Sequence, residues 1–168
     1  MSTDVKFVLD ELKQGIQYSN ILKITYDETP INNDDLLEEN KTQIMPSVEI
    51  DDANTDPKKK FFTVIMCDPD APSEKDPSSG PYLHWVHANS TKFNLSDGSI
   101  LCEYDGPGPP AGTGTHRYIF FLYESDKEIK NQKINDSERP QFKLKKFVND
   151  NGLKLVAATN FKVNASKS

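Results

Sequence analysis

The sequence has few cysteines and no long apolar run. Its only cysteines, Cys67 and Cys102, each end an apolar segment, so we expect buried free thiols rather than a disulfide or a paired-cysteine metal site. No stretch of about 18 apolar residues occurs, which argues against a membrane span. The first residues, MSTDVKFVLDELKQ, carry acids where a secretory signal has a basic and then a hydrophobic region. We therefore expect a cytoplasmic protein with at most peripheral membrane contact.

Basic residues are in the minority. The formal net charge is −6, because 26 Asp and Glu outnumber 20 Lys and Arg. A nucleic acid is therefore not expected as the main partner, since phosphate backbones require a basic surface. The exception is a local basic patch at residues 143–146.

Several catalytic signatures are missing as well. The sequence contains no G-x-S-x-G nucleophile elbow, no dinucleotide-binding glycine pattern and no Walker loop. Ser73, Ser78 and Ser79 lie in a predicted loop without an evident general base. We expect neither a serine hydrolase nor a bound cofactor.

The length and the pattern of short strands bound the fold. A chain of 168 residues predicts one domain, 1–168, and no internal repeat or linker divides it. Many short strands and few helices favour an all-β-dominated fold, an antiparallel β-sandwich of two sheets with a few peripheral helices. Nothing in the sequence indicates an obligate oligomer, so a monomer is expected.

The predicted elements follow from periodicity and capping residues. Apolar residues at helical spacing predict a helix over 5–13, with Asp4 as its cap and Gly15 at its end. A second helix is predicted from near Pro140, capped by Ser137 and ended by Gly152. Residues 27–60 are polar, with acidic runs at 32–40 and 51–56 that we interpret as solvated loops, and the tail 164–168 is expected to fray. The predicted strands are 21–26, 46–50, 61–67, 82–87, 99–104, 117–123, 153–158 and 160–163.

The most informative stretch is residues 105–123, DGPGPPAGTGTHRYIFFLY. A Gly- and Pro-dense loop at 106–114 is constrained by proline and allows close approach of the backbone to a ligand at glycine. The following strand is apolar at nearly every position, which predicts burial on both faces. Because side chains alternate along a strand, His116 and Tyr118 are predicted on one side and Arg117 on the other.

A second stretch, CDPDAPSEKDPSSGPYLHWVHAN at residues 67–89, begins where another apolar strand ends. Asp68 and Asp70 therefore lie at the mouth of a buried strand. In the next strand, alternation predicts one face with Tyr82, His84 and Val86, and the opposite face with Leu83, Trp85 and His87. On this pattern Trp85 belongs to the core and His87 is structural.

The two stretches carry compatible chemistry if they meet at one end of the sandwich. Imidazole and hydroxyl groups supply the N–H and O–H donors that an anion such as a phosphate monoester requires. Asp68 can orient a histidine and favour its protonation. Arg117 is expected to pair with Asp70 or another nearby carboxylate.

These two stretches resemble the two signature regions of the phosphatidylethanolamine-binding protein family, also called Raf kinase inhibitor-like proteins. The resemblance lies in DPDAPS, LHWVHAN and GPGPPAGTGTHRYIFFLYE, and it covers about a third of the chain. It implies a sandwich of two sheets with a small pocket for anions and phospholipid headgroups. The matching pocket positions are Asp68, Tyr82, His84, Pro110, His116 and Tyr118, with Asp70, Gly108 and Arg117 in supporting loops.

The resemblance also implies a function. We expect a non-enzymatic regulatory protein that binds phosphate-containing ligands, phospholipid headgroups or phosphorylated peptides and modulates protein kinases. Headgroup recognition is favoured over lipid transport, because no extensive apolar groove is evident. Animal members carry a C-terminal helix against the pocket, whereas this sequence stops a few residues after its NFKV strand, so a more open pocket is expected.

Three alternatives stay open. Asp68, His84 and His116 could form a facial metal triad in a metal-assisted hydrolase or oxygenase. Some members of the family inhibit proteases, and this chain could do the same. A scaffold with a vestigial pocket is the third possibility; its partner binding would be unchanged by His116→Ala.

Overall fold

The computed structural model describes residues 2–51, 60–130 and 132–167. Within these ranges the strands are β1 (Leu22–Tyr26), β2 (Thr29–Pro30), β3 (Asp35–Leu36), β4 (Ser47–Ile50), β5 (Phe61–Asp68), β6 (Tyr82–Ser90), β7 (Ser99–Cys102), β8 (Thr115–Ser125) and β9 (Lys154–Asn164). The helices are α1 (Thr3–Gly15) and α2 (Leu144–Asp150), and short 3₁₀ helices span Ile16–Ile21, Glu39–Lys41 and Asp136–Glu138.

The strands form two sheets, as predicted. The small sheet has the order β2-β1-β4, and the large sheet has the order β3-β9-β8-β5-β6-β7. Among the described strands every pairing is antiparallel except one: β3 runs parallel to β9, with Asp35 opposite Phe161. The predicted sandwich of two mainly antiparallel sheets is therefore confirmed, but the parallel edge strand was not predicted, because two residues inside a polar passage show no alternation of apolar and polar side chains.

Two apolar layers hold the sheets and helices together. One lies between the sheets and includes Ile24, Trp85 and Phe120. The other lies between the large sheet and the helices and includes Val8 and Phe121. Adjacent residues of β8 alternate between the two layers, which confirms that this strand is buried on both faces.

Helix α1 packs closely against the large sheet. Its N-cap is Ser2, whose Oγ accepts from Val5 N at 3.1 Å, so the prediction of Asp4 as cap is wrong. Asp4 instead accepts from Lys145 N through Oδ1 at 3.1 Å, which joins α1 to the start of α2. A Cβ at Gly15 would lie 2.8 Å from the Cβ of Ala158, so the small residue permits this approach.

The second helix begins later than predicted. Gln141 adopts a positive φ of 52°, which is incompatible with a helix starting near Pro140. Ser137 lies in the 3₁₀ turn Asp136–Glu138 and does not cap α2, whose N-cap position is Lys143. Gly152 has a φ of 60° and follows the helix, as predicted.

The chain end is more ordered than predicted. A single long strand, β9, replaces the two expected final strands. After it, Ala165 N donates to Gly114 O and Gly112 N donates to Ser166 O, each at 2.8 Å. The expected fraying is therefore wrong for these residues, because the backbone hydrogen-bonds to the Gly- and Pro-dense loop.

Other expectations have mixed outcomes. The short strand predicted near residue 46 is present as β4, and both cysteines are free and buried, as predicted. The first acidic run includes β3 and a short 3₁₀ helix, so it is not purely a loop. Most of the second run, residues 52–56, lies outside the described residues. In the described part of the chain, none of the helices has the length and apolar character needed to cross a membrane.

Candidate functional site

The candidate site lies at one end of the large sheet, where strands β5, β6 and β8 meet the loop after β7. Because β5 runs antiparallel to both β6 and β8, the end of β5 lies beside the beginnings of its two neighbours. The loop after β7 covers this end of the sheet and leaves a cavity of about 320 Å³. All six predicted ligand positions and Gly108 line it, whereas Asp70 and Arg117 do not. The lining residues are Asp68, Ala71, Pro72, Ser79, Tyr82, His84, Asp105, Gly106, Gly108, Pro109, Pro110, His116 and Tyr118.

His116 is held from both sides of its ring. Nδ1 lies 2.7 Å from Asp68 Oδ2, and Nε2 lies 2.9 Å from Thr113 Oγ1. Burial opposes the charged imidazole, but the hydrogen bond and negative charge of Asp68, together with Asp70, outweigh it and raise the pKa of His116. The contact with Asp68 was predictable from the sequence, whereas that with Thr113 was not.

The hydrogen-bond inventory gives the same protonation state. Thr113 Oγ1 also lies 2.6 Å from Pro110 O, and a carbonyl oxygen can only accept. The single hydroxyl hydrogen of Thr113 is therefore used on Pro110, so Thr113 must accept from His116 Nε2. Since Asp68 accepts at Nδ1, His116 carries a proton on both nitrogens.

His84 is in the opposite state. Its Nδ1 lies 2.5 Å from the carbonyl oxygen of Asp105, so this nitrogen is the donor and Nε2 carries the lone pair. Burial is the dominant influence and lowers the pKa of His84, although the Asp105 backbone hydrogen bond and the charges of Asp68 and Asp105 partly offset it. Folding thus favours the charged form of His116 and the neutral form of His84.

A β-bulge explains why strict alternation failed in β6. Met66 pairs with Trp85 and Cys67 pairs with Leu83, so His84 is the extra residue without a partner on β5. Leu83 and Trp85 consequently enter different apolar layers, contrary to the predicted shared face. The expectation that Trp85 is a core residue holds, because Trp85 is buried. His87, expected to be structural, lies outside the cavity lining, and its Nε2 is 2.7 Å from Asp97 O.

Arg139 supports the bulge, a role that was not predicted from the sequence. Its guanidinium is buried and donates through Nη1 to the carbonyl oxygens of Leu83 and His84, at 3.0 and 3.2 Å, and through Nη2 to that of Glu103 at 2.8 Å. Nε is paired with Asp136 at 2.9 Å. An arginine after a polar surface segment gives no sequence signal of such a role, because its partners are backbone carbonyls distant along the chain.

The two tyrosines of the cavity differ in their partners. Tyr82 donates its hydroxyl to Asp105 Oδ2 at 2.9 Å, and burial together with this carboxylate raises the pKa of Tyr82 to about 12. Tyr118 is only 1% exposed, and burial raises its pKa. Its ring contacts those of His84, His116 and Phe161, but its hydroxyl has no partner among the described residues.

Asp70 and Arg117 form the expected ion pair beside the cavity. Arg117 Nε and Nη2 donate to the two carboxylate oxygens of Asp70 at 2.9 and 2.7 Å, and the backbone N of Arg117 adds a third bond at 2.9 Å. Asp70 N in turn donates to Asp68 Oδ1 at 2.7 Å. The pair therefore fixes the loop that positions Asp68.

A segment distant in sequence braces the Gly- and Pro-dense loop. Gln43 Nε2 donates to Pro107 O at 2.6 Å, and a Cβ at Gly106 would lie 2.8 to 2.9 Å from atoms of Gln43. Glycine is thus required at 106 by this close approach. Gly108, by contrast, faces open space, because a Cβ at this position would meet no atom within 4 Å.

The arrangement does not resemble a metal triad. Asp68 and His116 bond directly to each other, and His84 Nδ1 is occupied by a backbone carbonyl. Across residues 2–51, 60–130 and 132–167, no group of three or more His, Cys, Asp or Glu side chains could hold a metal ion. The geometry therefore gives no support to the metal-assisted alternative.

Comparison with known proteins identifies the family. A family model described as phosphatidylethanolamine-binding protein matches residues 27–162, which is most of the chain. The chain belongs to the phosphatidylethanolamine-binding protein family. This match includes both signature stretches and the whole cavity lining, so the resemblance noted in the sequence is confirmed at the level of the family.

Three matches illustrate the range of similarity. The carboxypeptidase Y inhibitor of Saccharomyces cerevisiae is 30% identical over 145 residues, and the match covers 71% of this chain and 66% of the inhibitor, slightly under two thirds of its length. A solved carboxypeptidase Y inhibitor, complexed with its cognate proteinase, has a TM-score of 0.73 and 26% identity, covering 97% of this chain and 94% of that chain. A phosphatidylethanolamine-binding protein from Plasmodium vivax has a TM-score of 0.73 at 19% identity, covering 94% and 97%, a likeness of fold alone.

Proposed function

We propose that the chain is a non-enzymatic binding protein whose cavity accepts a phosphate group. One observation carries this proposal: Tyr118 Oη and His84 Nε2 have no partner among the described residues, although their side chains are only 1% and 5% exposed and both line the cavity. Because neither atom is hydrogen-bonded to the protein, both are available to a polar ligand in the cavity.

The hydrogen-bond donors of the cavity, rather than its net charge, favour a phosphate ligand, because the lining includes the carboxylates of Asp68 and Asp105 beside the one charged histidine. His116 contributes a cation that Asp68 balances, and the Tyr118 hydroxyl supplies a donor. At about 320 Å³ the cavity suits a headgroup or one phosphorylated side chain rather than acyl chains. The ligand is thus a phosphate-containing small molecule, a phospholipid headgroup or a phosphorylated peptide.

Binding without reaction is part of the proposal. A general base needs a free lone pair on the group that accepts the proton. Both nitrogens of His116 are engaged by Asp68 and Thr113, so this histidine is not available for proton abstraction, and His84 Nε2 is the histidine nitrogen of the cavity that keeps a lone pair. His116 is therefore assigned an electrostatic role.

Isothermal titration with phosphorylethanolamine and inorganic phosphate tests the proposal. Wild type should show saturable one-site binding, and Tyr118→Phe should weaken it roughly tenfold, because the variant removes one donor and leaves the ring packing intact. Tyr18→Phe is the matched control, since Tyr18 is half exposed and lies outside the cavity lining. Absence of binding to wild type would contradict the proposal.

Protease inhibition is a second candidate function, favoured by the relatives. One similar protein is named a carboxypeptidase Y inhibitor, and a similar structure shows such an inhibitor with its cognate proteinase. We propose that this chain inhibits a carboxypeptidase, which an assay of carboxypeptidase Y hydrolysis with added chain would test. Inhibition that persists in Tyr118→Phe would assign it to a surface other than the cavity.

Kinase regulation is a separate proposal about the partner, and it comes from the family resemblance. It requires a phosphorylated segment of the kinase or its substrate to enter the cavity. Pull-down of a phosphorylated peptide by wild type and not by Tyr118→Phe would support it. Equal capture of the unphosphorylated peptide would contradict it.

A further inference from the structure

Two exposed apolar residues, Ile44 and Met45, lie beside the loop that covers the cavity; together they form the apolar tip. Ile44 is 84% exposed, more than any other large apolar side chain in the described part of the chain, and Met45 is about half exposed. The preceding residue, Gln43, packs against the loop, since a Cβ at Gly106 would lie 2.9 Å from Gln43 Cα. Because Gly106 lines the cavity, the apolar tip directly follows a contact with the cavity wall.

The segment that carries the apolar tip is anchored on both sides. Before the tip, Thr42 is completely buried, and its carbonyl oxygen accepts from Tyr104 Oη at 2.6 Å. Gln43 Nε2 donates to Pro107 O at 2.6 Å. After the tip, Pro46 is buried and β4 begins. The exposure of the apolar tip is therefore a fixed feature of the fold.

The shape of the apolar tip favours a lipid bilayer over a protein partner. An isoleucine with this exposure protrudes from the surface instead of lining a groove. A protein partner would have to supply a pocket of matching shape, because specific protein interfaces are packed as closely as protein interiors. A bilayer accommodates a protruding apolar side chain of any shape, and its burial there is favourable.

The size of the cavity explains why the apolar tip would meet a bilayer. At about 320 Å³ the cavity can take a phospholipid headgroup but not the acyl chains. A phospholipid held in this way keeps its acyl chains in the bilayer, so the cavity has to lie against the membrane surface. The segment beside the cavity then reaches the boundary between headgroups and acyl chains.

The charges near the apolar tip favour a zwitterionic bilayer over an anionic one. Residues 39–46 contain one acid, Glu39, and one base, Lys41, and the loop at 105–111 adds Asp105. These two segments therefore lack the cluster of basic residues that attracts anionic lipid. Without such a cluster, binding has to come from the headgroup and from apolar insertion.

We propose that Ile44 and Met45 insert into a zwitterionic phospholipid bilayer while the cavity holds a headgroup of the same bilayer. This inference rests on the proposed phosphate-binding function and names its ligand as a lipid in a membrane. The two contacts lie on one rigid face and act together, so each strengthens the other.

Sedimentation with vesicles made of equal amounts of phosphatidylcholine and phosphatidylethanolamine tests the inference. Ile44→Ser should weaken vesicle binding roughly tenfold, because it removes an apolar side chain that the bilayer buries. The same variant should keep the wild-type affinity for phosphorylethanolamine in calorimetry. Phe93→Ser is the control and should bind vesicles as wild type does. Phe93 is exposed but packs against Phe62, near the start of β5 and opposite the end that carries Asp68.

The outcomes separate this inference from the proposed function. Wild type that binds phosphorylethanolamine but not vesicles would overturn the inference alone, whereas wild type that binds neither would overturn both. Equal vesicle binding by wild type and Ile44→Ser would also overturn the inference. If Ile44→Ser relieves inhibition of carboxypeptidase Y and binds vesicles normally, the apolar tip contacts a protein and the inference is wrong.

A fluorescent variant measures the insertion directly. The one tryptophan of the chain, Trp85, is buried, so its emission should not respond to vesicles. In Ile44→Trp the emission should move to shorter wavelength when vesicles are added, because the indole passes from water into the membrane interface. Vesicle binding without this change would place the apolar tip outside the bilayer and overturn the inference.

Discussion

His116 Nδ1 and Asp68 Oδ2 lie 2.7 Å apart, and both side chains are almost completely buried. Asp68 also accepts from Asp70 N, and Asp70 is paired with Arg117. Two acid–base pairs are therefore linked through one short loop at the end of β5. The cavity floor is fixed by these pairs before any ligand enters, so its protonation state is a property of the fold.

Asp68→Asn should destabilise the protein in a pH-dependent way. The raised pKa of His116 contributes stability that is fully present below the unfolded pKa of about 6.5 and is lost as the pH rises through the folded value. We expect the free energy of unfolding to fall by about 3 kcal/mol at pH 6 and by less at pH 9. Urea denaturation of both proteins at the two pH values measures this. Equal losses would show that the pairing is not the cause.

The pKa values of the two cavity histidines should be shifted in opposite directions from the ordinary value. The pKa of His84 is lowered, mainly by burial, whereas at His116 burial is outweighed by Asp68 and the pKa is raised. In an NMR titration of the free protein, one imidazole should protonate below pH 6.5 and the other should stay protonated above it. His84→Gln and His116→Gln assign the two signals. Two signals that titrate together would refute the assigned protonation states.

Thr113 should affect the protein through His116. Thr113→Val keeps the side-chain shape but removes the acceptor for Nε2–H, so the pKa of His116 should fall and stability should drop by about 1 kcal/mol. Thr113→Ser keeps the hydroxyl and should retain the wild-type pKa. The measurement is the imidazole ¹⁵N shift as a function of pH. A wild-type titration in the valine variant would contradict the hydrogen-bond assignment.

Arg139→Met should loosen the bulge that carries His84. The change leaves the carbonyl oxygens of Leu83, His84 and Glu103 without this donor. We expect a loss of about 3 kcal/mol in the free energy of unfolding and weaker phosphate binding. Lys143→Met, on the exposed approach to α2, should change stability by less than about 0.5 kcal/mol. Similar losses in the free energy of unfolding for the two substitutions would contradict the proposed role of Arg139.

Much of the fold was predictable because its signals are local. Alternation in β8 correctly separated His116 and Tyr118 from Arg117, and apolar runs located the central strands. The failures have non-local causes. The bulge at His84 depends on pairing with β5. The fixed position of residues 165–166 depends on backbone hydrogen bonds to the loop before β8.

The candidate site was predictable in its residues more than in its mechanism. All six ligand positions predicted from the two signature stretches are among the thirteen lining residues, since each stretch joins a loop to an apolar strand. The protonation states were not predictable, because they depend on Thr113 and on the backbone oxygen of Asp105. Arg139 was missed because its partners are main-chain atoms.

The central claim is that a phosphate group occupies this cavity. The most direct measurement is a two-dimensional NMR titration of the ¹⁵N-labelled chain with phosphorylethanolamine. We predict saturable shift changes centred on the segments 68–71, 82–84, 105–110 and 116–118, which carry most of the cavity lining, with α2 unaffected. Changes centred on the lysine-containing cleft between α2 and residues 125–130 and 132–134, or changes that never saturate, would contradict the account.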